Sequence, residues 1–223
     1  NMSTHTYAEP TIFLVDDDDR IRVSLARALT KRGFQVESFA SAESFLEAYQ
    51  ASEPGCLVLD YGMPGLNGLE LQSHLAAAQL RIPIIFISGQ GGVPESVQAM
   101  KNGAVDFLEK PFRQSELVAC ITTAFEADLV ARNAEETTKQ ARSNFGLLTA
   151  REREVAVFMI QNPSTTSSKE VGRQLNISPR TVDHHRARIL EKMSIGSIAE
   201  LIDISGSAAL LEMNVSKDAS SLT

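Results

Sequence analysis

The chain has 223 residues, 43% of them hydrophobic, so it can bury a core and is not wholesale disordered. Its strongly apolar runs, such as 82–87, are far too short to span a bilayer, and residues 1–11 are polar, so neither a membrane span nor a secretory signal is expected. The net charge of −7 is uneven: residues 1–127 hold 9 Lys and Arg against 16 Asp and Glu, whereas residues 128–223 hold 12 of each. A neutral second half still permits nucleic-acid binding if its basic groups share one face. Cys56 and Cys120 sit in apolar stretches and read as reduced core residues of a cytoplasmic protein, not as a disulfide or metal pair.

Up to residue 127 apolar strand candidates at 11–15, 35–39, 56–59, 83–87 and 105–108 alternate with helical stretches at 19–32, 41–50, 66–78 and 94–101. This order predicts an α/β fold, a doubly wound five-stranded parallel sheet covered on both faces. "CLVLD" and "IPIIFIS" are apolar enough for central strands. A long helix is expected after Phe112. Its apolar stripe fades past Val130, so 128–144 reads as an exposed helical linker. From Phe145 the pattern is all helical: Thr149 and Ser178 are N-cap candidates, Glu152 stands in the capping-box position, and Pro179 takes the first position of its helix. Residues 215–223 are polar and expected to fray.

The first strand candidate runs straight into four aspartates, "TIFLVDDDDR". Side by side, carboxylates repel, and none is buried cheaply without a partner. Open parallel sheets place their sites beyond the carboxyl ends of the strands. Those ends here bring Asp16 and Asp17, Asp60, Ser88 and Lys110 to one rim. Hard oxygen donors of this kind suit Mg²⁺. Asp60, at the end of a buried strand before a Gly/Pro-rich loop, is the candidate nucleophile for a phosphoryl group, with Lys110 and Ser88 contacting its oxygens. Asp18 and Asp19 read as a solvated loop residue and a helix N-cap.

Together "VDDD", "LVLDYGMPGLNG", "FISG" and "DFLEKPF" resemble the receiver domain of two-component response regulators, a flavodoxin-like fold, over about 10–127. The resemblance implies phosphorylation of Asp60 by a sensor histidine kinase. It implies Mg²⁺ held by Asp16, Asp17, Asp60 and the backbone carbonyl of Gly62, with Ser88 and Phe107 as switch positions and Lys110 as the family's lysine. Phe107 reads equally well as plain core. Gly62 and the loop "SGQGGV" depart from the family's usual residues.

"LLTAREREV", "SSKEVGRQLNISPRTVDHHRARILEKM" and "SIAEL" resemble the LuxR-type helix-turn-helix of FixJ/NarL response regulators. That resemblance implies double-stranded promoter DNA as a partner and a homodimer when phosphorylated. On the recognition helix Val182, Ile189 and Met193 face inward, with His185 or Arg186 filling the turn between them. Arg180, Thr181, His184, Ala187, Arg188 and Glu191 face outward. Arg188 is the candidate guanine reader, and His184 meets a base edge or a phosphate. Thr181 meets a phosphate, and Lys169 and Lys192 contact the DNA backbone. Asp183 either accepts from a cytosine amine or pairs with Arg186. Residues 162–168 form a longer connection than the family's usual one, and Asn162 is expected in the left-handed, helix-ending conformation. The expected organisation is a receiver over 10–127, a linker over 128–144 and an all-α helix-turn-helix domain over 145–214. The reading is a phosphorylation-activated transcriptional regulator. The alternatives are an aspartate-dependent phosphohydrolase and a DNA-binding protein whose receiver only dimerises.

Overall fold

The computed structural model describes residues 9–89 and 93–212. The chain divides into two compact units, Asn1–Arg132 and Asn133–Thr223.

The first unit holds strands β1 (Thr11–Val15), β2 (Gln35–Phe39), β3 (Gly55–Asp60), β4 (Ile84–Ser88) and β5 (Asp106–Glu109), all parallel, in the order β2-β1-β3-β4-β5. Helices α1 (Asp19–Thr30), α2 (Ala42–Ala48), α3 (Gly68–Ala77) and α4 (Val93–Lys101) alternate with them, and α5 (Gln114–Gly146) follows. Successive strand residues point to opposite faces. Phe13, Val15, Leu57, Leu59 and Phe86 therefore pack with Phe45 of α2 and Leu71 and Leu75 of α3. Ile12, Leu14, Cys56, Val58, Ile85 and Ile87 pack on the other face with Leu25 and Leu29 of α1 and Leu117, Ile121 and Ala124 of α5. β3 and β4 are buried throughout, as their unbroken apolar runs require.

Helix starts are set by side-chain caps. Asp18, not Asp19, caps α1: its backbone is extended and its carboxylate accepts the Arg20 and Ile21 N–H groups at 2.8 and 3.4 Å. Asp19 becomes the first helical residue. Ser41 caps α2 with Ser44 as its reciprocal partner, which leaves Glu43 free to accept the Leu66 N–H at 3.3 Å. Asn67 and Glu70 form the capping box of α3.

Segment 128–144 is helical, within α5, and mostly exposed, with buried anchors at Asp128, Ala141 and Asn144. Asp128 is buried, and accepts the Gly55 N–H at 3.0 Å and Arg132 Nε at 2.7 Å. Arg132 also donates to the Ala51, Ser52 and Glu53 carbonyls at 3.1, 3.2 and 2.6 Å. A polar clamp thus holds the start of this segment. Further along, Ala141 and Asn144 are buried in the second unit. Gln90 to Gly92 of the departing "SGQGGV" loop, and the tail from 215, lie outside the described residues.

The second unit adds α6 (Ala150–Gln161), α7 (Ser168–Leu175), α8 (Pro179–Met193) and α9 (Ile198–Ser207). Thr149, Ser167, Ser178 and Ser197 cap them, and Glu152 closes the capping box of α6. Their core gathers Phe145, Val155, Met159, Val171, Val182, Ile189 and Leu201. Between α7 and α8 the chain reverses through Asn176, in the left-handed region at φ 53°. A Cβ on Gly172 would lie 2.6 Å from the Ile177 carbonyl oxygen, so this short turn closes only over glycine. Asn162 is not left-handed: it has φ −127° and ψ 64°, and ends α6 by donating Nδ2 to the Phe158 carbonyl at 2.9 Å.

Candidate functional site

Parallel register brings the strand ends level. Val15 pairs with Leu59, Asp60 with Ile87, and Ser88 with Glu109. Asp16, Asp60, Ser88 and Lys110 therefore share one rim, as the strand-end rule predicts. Lys110 Nζ donates to Asp60 Oδ1 at 2.7 Å and to Asp16 Oδ2 at 2.9 Å. The two carboxylates are almost fully enclosed, with Asp16 0% and Asp60 6% exposed. Their other oxygens accept backbone N–H groups, Asp16 Oδ1 from Asp18 at 2.9 Å and Asp60 Oδ2 from Gly62 at 3.0 Å. Arg22 Nη1 holds the Asp16 carbonyl at 2.8 Å, and the Lys110 N–H binds the Ser88 carbonyl at 2.7 Å. Ser88 itself is buried. Gly68 lets the loop after β3 close: a Cβ there would meet the Phe86 ring at 2.8 Å and the Asp60 carbonyl oxygen at 2.9 Å.

Burial pulls the Lys110 pKa down, but the hydrogen bonds to Asp60 and Asp16 outweigh it and hold the ammonium above the ordinary lysine value. One ammonium thus lies between two buried carboxylates. Among the described residues no group of three or more His, Cys, Asp or Glu is arranged to hold a metal ion. Asp17 is exposed, and Gly62 meets Asp60 through its N–H. The donor chemistry nonetheless fits a hard divalent cation. Two enclosed carboxylates share a single ammonium, Asp17 follows directly in the chain, and all these donors are oxygen.

Phe107 is half-buried and sits opposite Phe86 in register; their rings stack at 6.1 Å. Tyr61, which sequence reasoning passed over, meets both edge-on, at 6.1 Å from Phe107 and 6.4 Å from Phe86. Its position directly after Asp60 was the available signal. Cys56 and Cys120 are both buried free thiols, and Cys120 Sγ donates to Asp106 Oδ2 at 3.2 Å. Burial, then that carboxylate, pushes the Cys120 thiol up to about 12.

On α8, Val182, Ile189 and Met193 are buried, and Arg180, His184, Ala187, Arg188 and Glu191 are exposed, as their spacing predicts. Arg188 pairs with Glu191 at 2.7 Å, one turn on along the exposed face. Lys169 is exposed on the first turn of α7. Thr181 is half-buried, and its hydroxyl lies 2.7 Å from Ser178 Oγ within the cap. Two expectations are corrected. Asp183 accepts from Ser168 Oγ and does not pair with Arg186, whose Nη1 donates to the Thr166 carbonyl at 2.6 Å and so holds the long 162–168 connection. Lys192 turns inward, to Glu152 Oε2 at 2.6 Å and the Leu147 carbonyl at 3.2 Å, which removes it from the exposed face. Burial acts to raise the Glu152 pKa, but hydrogen bonds from Lys192 and Thr149 prevail and hold it below the ordinary value.

Comparison with known proteins agrees with both halves. The response regulator receiver domain family matches residues 12–122, and the luxR family of bacterial regulatory proteins matches residues 146–205. Nodulation protein W of Bradyrhizobium diazoefficiens is 38% identical over 91% of this chain and 88% of its own length. The transcriptional regulatory protein FixJ of the same organism is 39% identical over 90% of this chain and 96% of its own. Among solved structures, the response regulator StyR superposes with a TM-score of 0.77 at 40% identity, covering 89% of this chain and 99% of that one. Full-length FixJ from B. japonicum gives 0.55 at 38% identity, covering 91% and 98%. No helix among the described residues is long and apolar enough to cross a membrane. With a rim of acids and a lysine on one unit, a helix-turn-helix on the other, and this likeness along nearly its whole length, the chain belongs to the FixJ/NarL-type response regulators of two-component systems, transcriptional regulators with a receiver and a LuxR-type DNA-binding domain.

Proposed function

We propose that a sensor histidine kinase phosphorylates Asp60 and that this event switches DNA binding by the second unit. The Lys110 ammonium bridging Asp60 and Asp16 carries this reading, because it holds a buried carboxylate at the rim with its charge partly offset. Asp16, Asp17, Asp60 and the Gly62 carbonyl would hold Mg²⁺. When bound, the ion offsets carboxylate charge and steadies a phosphoryl oxygen. An Asp60 oxygen forms the new bond to phosphorus as the bond to the kinase histidine nitrogen breaks. Lys110 then transfers its hydrogen bond to a phosphoryl oxygen, and the Ser88 hydroxyl donates to another. The modification adds roughly −1.5 to −2 charges, by analogy with phosphoserine. Phe107, stacked on Phe86 beside Tyr61, is placed to move with the rearranged rim. Full switching from 1:99 to 99:1 requires about 5.5 kcal/mol of differential stabilisation.

Phosphorylated chains pair in the cytoplasm and present two α8 faces to half-sites about 34–36 Å apart, or a multiple of that. Arg180, His184 and Arg188 face the groove, and Lys169 and Thr181 the phosphates. The test is direct. Incubated with Mg²⁺ and acetyl phosphate, the chain gains one phosphoryl group by intact mass and footprints its promoter more tightly; Asp60→Asn does neither. Normal promoter control by Asp60→Asn defeats the phosphorylation switch.

A further inference from the structure

We infer that Asn144, in the last turn of α5, is a positioning residue for DNA reading: it caps the carboxyl end of α8 from outside that helix. The inference rests on α8 being the helix that reads DNA. A helix leaves its last four carbonyls without internal partners. In α8 the Ile195 N–H satisfies Leu190 at 3.1 Å and the Ser194 N–H satisfies Glu191 at 3.2 Å, with Ser194 left-handed at φ 57°. The Met193 carbonyl accepts instead from Asn144 Nδ2 at 3.1 Å.

Asn144 is only 8% exposed, so an unmade bond here would be costly. Its orientation is dictated on both sides. Gln140 Nε2 donates to Asn144 Oδ1 at 2.8 Å, and reversing the amide would set donor against donor and oxygen against oxygen. Its neighbour Phe145 is fully buried in the core that also holds Val182, Ile189 and Met193. The preceding residue of α8 repeats the connection, because Lys192 binds the Leu147 carbonyl just past α5 and Glu152 of α6. The last turn of α8 is thus tied to the end of α5, whereas the exposed Arg180, His184 and Arg188 lie on the turns before it. A buried amide so placed acts on the angle and axial position of α8, not on any base.

The experiment uses the full chain, one duplex that the unaltered chain selects from a random library, and one unrelated duplex. Asn144→Asp keeps the shape but sets a carboxylate oxygen against the Met193 carbonyl. Its ratio of selected to unrelated affinity falls about tenfold, the size of a lost cap, while affinity for the unrelated duplex changes by less than about twofold. The amide resonances of Met193 to Ile195 shift. Gln140→Leu, at an exposed position, leaves Asn144 in place but frees its oxygen, and lowers the ratio about threefold; it decides the matter if Asn144→Asp does not fold. A merely structural residue would weaken both duplexes together. A ratio within about twofold of the unaltered chain in the folded variants overturns the inference alone. A chain that selects no sequence defeats the reading of α8, and this inference with it.

Discussion

Lys110 Nζ stands 2.7 Å from Asp60 Oδ1, and the same ammonium lies 2.9 Å from Asp16 Oδ2. One cation thus serves two enclosed carboxylates that come from different strands. Charge of this kind tolerates burial only while it is paired, so the lysine stabilises the fold around both acids.

Lys110→Met removes that partner and leaves Asp16 and Asp60 facing each other. The receiver unit is expected to lose about 2–4 kcal/mol, measured by urea unfolding, with part of the loss recovered in Lys110→Met/Asp60→Asn. A loss too small to measure would mean that solvent already screens the pair.

The pKa directions give two pH windows of opposite sign. Lys110 lies above the ordinary lysine value of 10.5, so its contribution is complete below that pH and disappears as pH rises through the higher folded value. Glu152 lies below the ordinary 4.5, so its contribution is present above pH 4.5 and disappears as pH falls through the lower folded value. Circular dichroism at both extremes is expected to show a flatter alkaline limb in Lys110→Met and a flatter acid limb in Glu152→Gln. Unaltered limbs in both variants would refute the assignments.

Gly62 and Gly68 flank the same loop but differ in the space around them. A Cβ on Gly62 would lie an ordinary 3.7 Å from Asp60 Oδ2, whereas one on Gly68 would lie 2.8 Å from the Phe86 ring. Gly62→Ala is expected to change stability by less than about 0.5 kcal/mol, and Gly68→Ala to cost about 1–3 kcal/mol. Equal melting temperatures for the two variants would contradict the close approach.

Arg186 ties the long connection before α7 to α8 through the Thr166 carbonyl at 2.6 Å. Arg186→Ala is expected to cost about 1–2 kcal/mol and to speed amide exchange at residues 162–168. Unchanged exchange there would show that the connection holds itself.

Arg188 lies on the exposed face, paired with Glu191 one turn away. Arg188→Ala is expected to cost about 1–3 kcal/mol on the selected duplex and much less on unrelated DNA, by titration at fixed salt. Equal losses on every duplex would reduce Arg188 to a phosphate contact.

Much of this architecture is legible residue by residue. Alternation, apolar runs and strand-end acids are properties of neighbouring positions, so the five strands, the face of α8 and the joint rim of Asp16, Asp60, Ser88 and Lys110 could be read along the chain. Caps are local too, and there the error was one residue: Asp18 and Asp19 are chemically equivalent, and only the extended backbone at 18 selects between them. The anchor at the start of 128–144 was not legible because a polar clamp leaves no hydrophobic trace. Asp128, Arg132 and the carbonyls of 51–53 are far apart in sequence.

The sequence by itself determined which residue types gather at strand ends and which side of each helix is apolar, because both follow from fixed backbone periods. Only the tertiary structure decided which charges find each other: Lys110 with two acids, Lys192 turned from the exposed face to Glu152, Arg186 on Thr166 rather than Asp183, and Asn144 under the end of α8. Long side chains reach several ångströms in many directions, and their partners come from whichever segment the packed core carries within that reach.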